Sequence, residues 1–275
     1  MSVEAEAVQH TEKAQEGLKE LSNWITFLSE KGHGTPWVDF LHRWENVAFS
    51  WVIALSLVIV AFLGTRKRKD IPGPFQNFLE AIVEGLEKFV TDVLGERGKK
   101  FVPFIGTLFL YILCQNLIGV VPGMKAPTSS LNTTVALAVT VFFYVQMTGL
   151  KENGLFGYID HLMGSPRDLV GWIMVPMNLP LHILEEFIKP LSLSLRLFGN
   201  ILGEDSLIAA FVTLGIAALA FFHIPVGLPL QFPFLMLAML TGTIQAVVFT
   251  ILSTIYISLM LPHEEHTHHQ KEESQ

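Results

Sequence analysis

Apolar positions along this chain gather into runs rather than alternating with polar ones, and the runs are long enough to cross a membrane. The first covers about Val47–Leu63, near the lower limit for a hydrocarbon core of about 30 Å. A second covers about Phe101–Val121 and is closed by Val121-Pro122-Gly123, and a third covers about Leu131–Leu150. After a polar, Gly-rich connection come two longer segments, about Leu181–Phe222 and Leu228–Leu261. At 1.5 Å per residue, about 40 residues make roughly 60 Å of helix, about twice the hydrocarbon thickness. These two must tilt strongly, break, or lie partly along the membrane. Pro and Gly in Phe222–Pro229 mark the turn of a long, inclined helical hairpin. Phe75–Phe89 mixes apolar and charged residues at helical spacing and reads as an interfacial helix.

Composition supports the same picture. Only 16% of the 275 residues are charged, and mean hydropathy is +0.46. Both values exclude an ordinary water-soluble domain. The net charge of −7 is concentrated in the tails and argues against nucleic-acid binding. Cys114 is alone, so neither a disulfide framework nor a thiolate metal cage is expected within the chain. Residues 1–20 lack the basic start and apolar stretch of a signal peptide.

Arg66, Lys67, Arg68, Lys69, Lys88, Arg97, Lys99 and Lys100 lie between the first and second runs, whereas the next turn has only Lys125. The positive-inside rule then makes the basic loop cytoplasmic and the N-terminus extracytoplasmic. The expected organisation is an all-α polytopic membrane protein with about five spans. It comprises an N-terminal extracytoplasmic segment (1–45), a membrane channel domain (46–262) and a disordered His/Glu-rich cytoplasmic tail (263–275). Trp24, Trp37, Trp44 and Trp51 suit anchoring at the outer interface. His263, His266, His268 and His269 suit a solvated tail better than a metal site. No internal repeat supports an inverted-repeat transporter.

Of the 18 Lys and Arg, sixteen fall in tails and connections; Lys189 and Arg196 fall inside the fourth run. A basic side chain at bilayer depth costs a few kcal/mol, so function usually holds it there (~3 kcal/mol on insertion scales). On a helix at about 100° per residue, His182, Glu185, Lys189, Ser192, Arg196 and Asn200 fall on one stripe, within about 40° of Arg196. Gly199 and Gly203 lie near the same face and would admit another helix. Asp205 comes out about 180° away, with Glu204 between, and Pro190 should kink the helix. Such a stripe could be interhelical glue, but a charged arginine in line with carboxyl-bearing positions favours a proton or ion path. Two rivals are a self-contained secondary transporter with its substrate near Arg196, and a membrane metalloenzyme or metal transporter using the histidines. The sequence has neither HExxH nor GxxxxGK[ST], so direct nucleotide binding is not expected.

The run Ser192-Leu193-Ser194-Leu195-Arg196-Leu197-Phe198-Gly199-Asn200-Ile201 resembles the signature of subunit a, the stator channel subunit of F-type ATP synthases. Asn116-Leu117-Ile118-Gly119-Val120-Val121-Pro122-Gly123 and Gln245-Ala246 with the apolar tract to Leu261 extend the resemblance. It covers most of the chain after about residue 40. The resemblance implies a non-catalytic, cofactor-free subunit of the whole synthase complex in a bacterial plasma (inner) membrane, a thylakoid membrane being the lesser alternative. Its implied partners are a subunit c ring, the peripheral stalk subunit b and membrane lipid. Arg196 would face the ring carboxylates between two half-channels. Asn200, Glu204, Asp205, Gln245 and Asn116 are implied in the proton pathway. His182, Glu185, Glu186 and Lys189 lie toward the helix's cytoplasmic start as candidates for the exit path, and Ser192 is also implied in the pathway. Some bacterial relatives carry a histidine where this chain has Ala238, which leaves Glu204 as a second candidate beside Asp205.

Overall fold

The computed structural model describes residues 44–66, 73–121, 123–164, 169–220 and 229–261. The N-terminal segment before residue 44, most of the hairpin turn with His223, and the His-rich tail lie outside the described residues. What is described is helical. Among the described residues, five helices are long and apolar enough to cross a membrane: α1 (Glu45–Thr65), α3 (Val102–Ile118, extended by a 3-10 turn from Glu96), α4 (Leu131–Leu162), α5 (Leu169–Ala220) and α6 (Phe232–Met260).

Between α1 and α3 lies α2 (Pro74–Leu94), the expected amphipathic helix. Pro74 starts it, where a missing N–H costs nothing, and Gly95 ends it at φ 67°, a left-handed conformation open to glycine. Helix α2 meets α1 at Gly64, where a Cβ would lie 2.2 Å from Leu79 Cδ1, so a larger residue would force the Leu79 side chain to move. Val90, at the far end of α2, is fully buried against the bundle.

The core is formed by α3, α4, α6 and one side of α5: Ile105 and Ile112, Val141, Phe249 and Ile257, Leu193 and Leu197 are all buried. Phe104 and Tyr144 stack across α3 and α4 at 3.6 Å. By contrast, α1 is peripheral. Trp51, Leu55, Val58, Phe62 and Leu63 stand exposed, a distribution suited to lipid and not to water.

Two boundaries differ from the sequence expectation. The polar connection after Leu150 is helical on both sides of Gly154, whose non-helical backbone (φ 69°, ψ 174°) kinks the chain between two helical stretches. The fourth run begins at Leu169 and continues for 52 residues through Pro176, Pro180 and Pro190. Proline marks helix breaks in a sequence, but here the helix continues through all three, each lacking only its own backbone N–H. At about 78 Å, α5 far exceeds a bilayer's hydrocarbon thickness.

Candidate functional site: the Arg196 face and its flanking polar clusters

Helix α5 packs one side inward. Leu193, Ser194, Leu197 and Ile201 are each at most 3% exposed, and they fall on one arc of the helix. Arg196 lies off that arc and is exposed, as are Ser192, Leu191 and Leu195. On the same open side, a Cβ built on Gly199 or Gly203 would meet nothing within 4 Å. Arg196 therefore stands on a strip of small and leucine side chains that no described residue covers.

The expected single polar stripe is divided by this packing. Glu185, Ser192 and Arg196 are exposed, whereas His182, Lys189 and Asn200 are half-buried. The reason is angular: positions about 20–80° round from Arg196 begin to enter the contact with the neighbouring helices. His182 sits beside Gly164, where the chain passes from α4 to α5, and is not brought to Arg196.

Before Arg196 in the chain is a charged cluster. Lys189 Nζ lies 2.6 Å from Glu186 Oε1 and 3.5 Å from Glu185 Oε1. Gln146 Nε2 donates to Glu186 Oε2 at 2.7 Å, and Tyr158 Oη donates to Gln146 Oε1 at 2.5 Å. The Lys189 ammonium also stands over the Tyr256 ring at 5.6 Å. Lys189 and Glu186 side chains are 14% and 12% exposed, so this pair is largely removed from solvent. A cavity of about 10 Å³ adjoins Glu186, Lys189 and Tyr256, near the least volume that admits a water.

After Arg196 comes a second cluster. Asn200 Nδ2 donates to Glu204 Oε1 at 2.6 Å, and the Thr241 hydroxyl of α6 contacts the same oxygen. Asp205 follows, half-buried. Asn116 is buried and engaged at both ends of its amide: Nδ2 donates to Gly242 O at 2.9 Å, and Oδ1 accepts from Thr128 Oγ1 at 2.9 Å. It ties α3 to α6 and to the 3-10 turn Pro127–Ser129. Gly242 permits this approach, since a Cβ there would lie 3.3 Å from Asn116 Cβ. Gln115 is fully buried with neither amide atom bonded among the described residues, and Gln245 Nε2 is likewise unbonded among them. Buried polar groups of that kind are costly unless another molecule satisfies them.

Sequence reasoning missed Gln146, Tyr158, Tyr256, Thr128 and Thr241. Tyr256 and Gln146 carry a weak signal, being polar tips inside apolar runs. Thr241 carries none, because threonine in a membrane helix ordinarily bonds its own backbone.

The family model described as ATP synthase A chain matches residues 47–258. The chain is 46% identical to the ATP synthase subunit a of Protochlamydia amoebophila over 254 residues, 92% of this chain and 93% of that protein. It is 42% identical to the protein of that name from Solidesulfovibrio magneticus, over 80% of this chain and 85% of that one. A third, from Geobacter sulfurreducens, is 39% identical over 78% and 86%.

Proposed function

The chain belongs to the ATP synthase A chain family, and from that membership and the placement of Arg196 we propose that it is the proton-translocating stator subunit of a rotary F-type synthase. The observation that carries the proposal is the exposed Arg196, with open glycine positions beside it and an inward-turned polar cluster on either side along the helix. Glu204 lies eight residues after Arg196 and Lys189 seven before, so the clusters are about 10–12 Å from it along the axis, in opposite directions. Two half-channels ending on opposite sides of one fixed charge need such an offset.

The uncovered strip would receive a ring of subunit c helices. An ionised ring carboxylate reaching Arg196 gains from the nearby positive charge, so its proton affinity falls and the proton leaves. A guanidinium suits this work because it stays charged when poorly solvated, and so carries no proton itself. The same fixed charge repels a proton passing directly between the half-channels, and protons ride the ring instead. Each elementary charge crossing releases about 2.3 kcal/mol per 100 mV. Glu204, Asp205 and Asn200 would serve the extracytoplasmic half-channel, with Gln115 and Gln245 supplying amides for water. Glu185, Glu186, Lys189, Ser192 and His182 would serve the cytoplasmic exit. The subunit catalyses no covalent chemistry and works in the bacterial plasma membrane, held by subunit b beside the ring.

Arg196→Ala should abolish proton-driven ATP synthesis while the complex still assembles, measured on purified complexes in liposomes. Normal synthesis by assembled variant complexes would refute the role. A self-contained transporter would instead move its substrate in liposomes holding this chain alone.

A further inference from the structure

Glu204 meets α6 through Thr241, and the hydroxyl there has more acceptors than protons. Thr241 Oγ1 contacts Glu204 Oε1 and also lies 2.8 Å from Leu237 O and 3.3 Å from Ala238 O. A threonine hydroxyl carries one proton and two lone pairs, and turns about its Cβ–Oγ bond. Bonded to Leu237 O, it offers lone pairs to the carboxyl and accepts from a protonated Glu204. Turned the other way, it donates to an ionised Glu204. Asn200 Nδ2, the other partner of the same oxygen, can only donate and so favours the ionised form alone.

We infer that Thr241 is a positioning residue that serves both protonation states of Glu204, keeping the carboxyl at one place while its proton arrives and leaves. The inference rests on the reading above that Glu204 stands in the proton pathway. The proton transferred is the carboxyl's: it enters and leaves Glu204, while the threonine proton stays on its own oxygen in both states. The surrounding charges are few. Asp205 and Arg196 share α5 with Glu204, and the α6 side chains near Thr241, namely Ala238, Gly242 and Gln245, are uncharged. A partner that bonded only one state would hold Glu204 in that state and slow the other half of the cycle. The helix backbone supplies the alternative acceptor, since Thr241 Oγ1 already lies 2.8 Å from the carbonyl four residues earlier.

The test compares Thr241→Val with Thr241→Ser in purified complexes, reading passive proton flow after removal of the catalytic head and ATP-driven pumping before it. Valine keeps the shape and loses the hydroxyl; flow should fall about tenfold or more, the loss expected from one hydrogen bond to an ionised carboxyl. Serine should restore most of it. Should the valine complex not assemble, Thr241→Ala removes the same hydroxyl and carries the same expectation. Native flow in an assembled hydroxyl-free variant, or a serine variant as slow as valine, would overturn the inference. The double variant Glu204→Gln, Asp205→Asn separates the two readings: native flow there refutes the carboxyls' place in the pathway. Blocked flow there with normal flow in Thr241→Val refutes Thr241 alone.

Discussion

Lys189→Met removes the cation from a largely buried pair and leaves Glu186 beside Gln146 with a negative charge and no ammonium. The Glu186 side chain is 12% exposed and Lys189 14%, so solvent recovers little of what is lost. Breaking a buried pair by deleting one partner costs about 3–5 kcal/mol, because the remaining charge stays uncompensated. Here Gln146 still donates to Glu186 Oε2 at 2.7 Å, which places the expected cost at the lower end, about 3 kcal/mol. At about 2–4 °C per kcal/mol for a chain of this size, the variant should lose its fold some 6–12 °C below the native protein. The assay is retention of this subunit in the detergent-solubilised complex along a temperature series. The decisive comparison is Lys189→Met, Glu186→Gln, which leaves no unpaired charge and should recover most of the loss. Equal stability of the single variant and the native protein, or a double variant worse than the single, would show that Lys189 and Glu186 are not a buried pair.

Two further substitutions test the fold around the site. Asn116→Ala deletes the bonds to Gly242 and Thr128 and leaves both partners buried; a loss of about 2–4 kcal/mol should lower subunit retention on heating. Asn116→Asp keeps the acceptor for Thr128 and should do less damage than alanine only if that bond matters. At Gly154 a Cβ would meet nothing, so Gly154→Ala isolates the backbone cost: φ 69° with ψ 174° is a region essentially reserved for glycine and should cost about 1–3 kcal/mol, seen as a lower midpoint with unchanged proton flow.

Much of the membrane architecture was legible because lipid imposes a length and composition that a single sequence displays. The five apolar helices and α2 announce themselves through run length and helical spacing. Arg196 was legible for the same reason, as a charge where charge is costly. The extension of α4 past Gly154 was not, because glycine and charged residues there read as a loop until their packing is known. It is held by contacts that spacing does not announce: Asn153 Nδ2 donates to Met260 O at 2.7 Å, 107 positions away, and Tyr158 folds back on Gln146 across the break.

The sequence by itself determined that this chain crosses a membrane several times and carries an arginine in its fourth apolar segment. Helical spacing put Arg196 in line with its polar neighbours, but spacing knows nothing of the other helices. Only tertiary packing decided which members of that line face outward with Arg196 and which turn in, as Lys189 does against the Tyr256 ring, and that Glu186 and Glu204 beside the line meet Gln146 and Thr241. Packing also made Asn116 a fastening between α3 and α6. The physical reason is range. Hydrophobicity and periodicity act within a few turns of one helix, whereas a hydrogen bond between residues 37 or 126 positions apart exists only once two helices have docked.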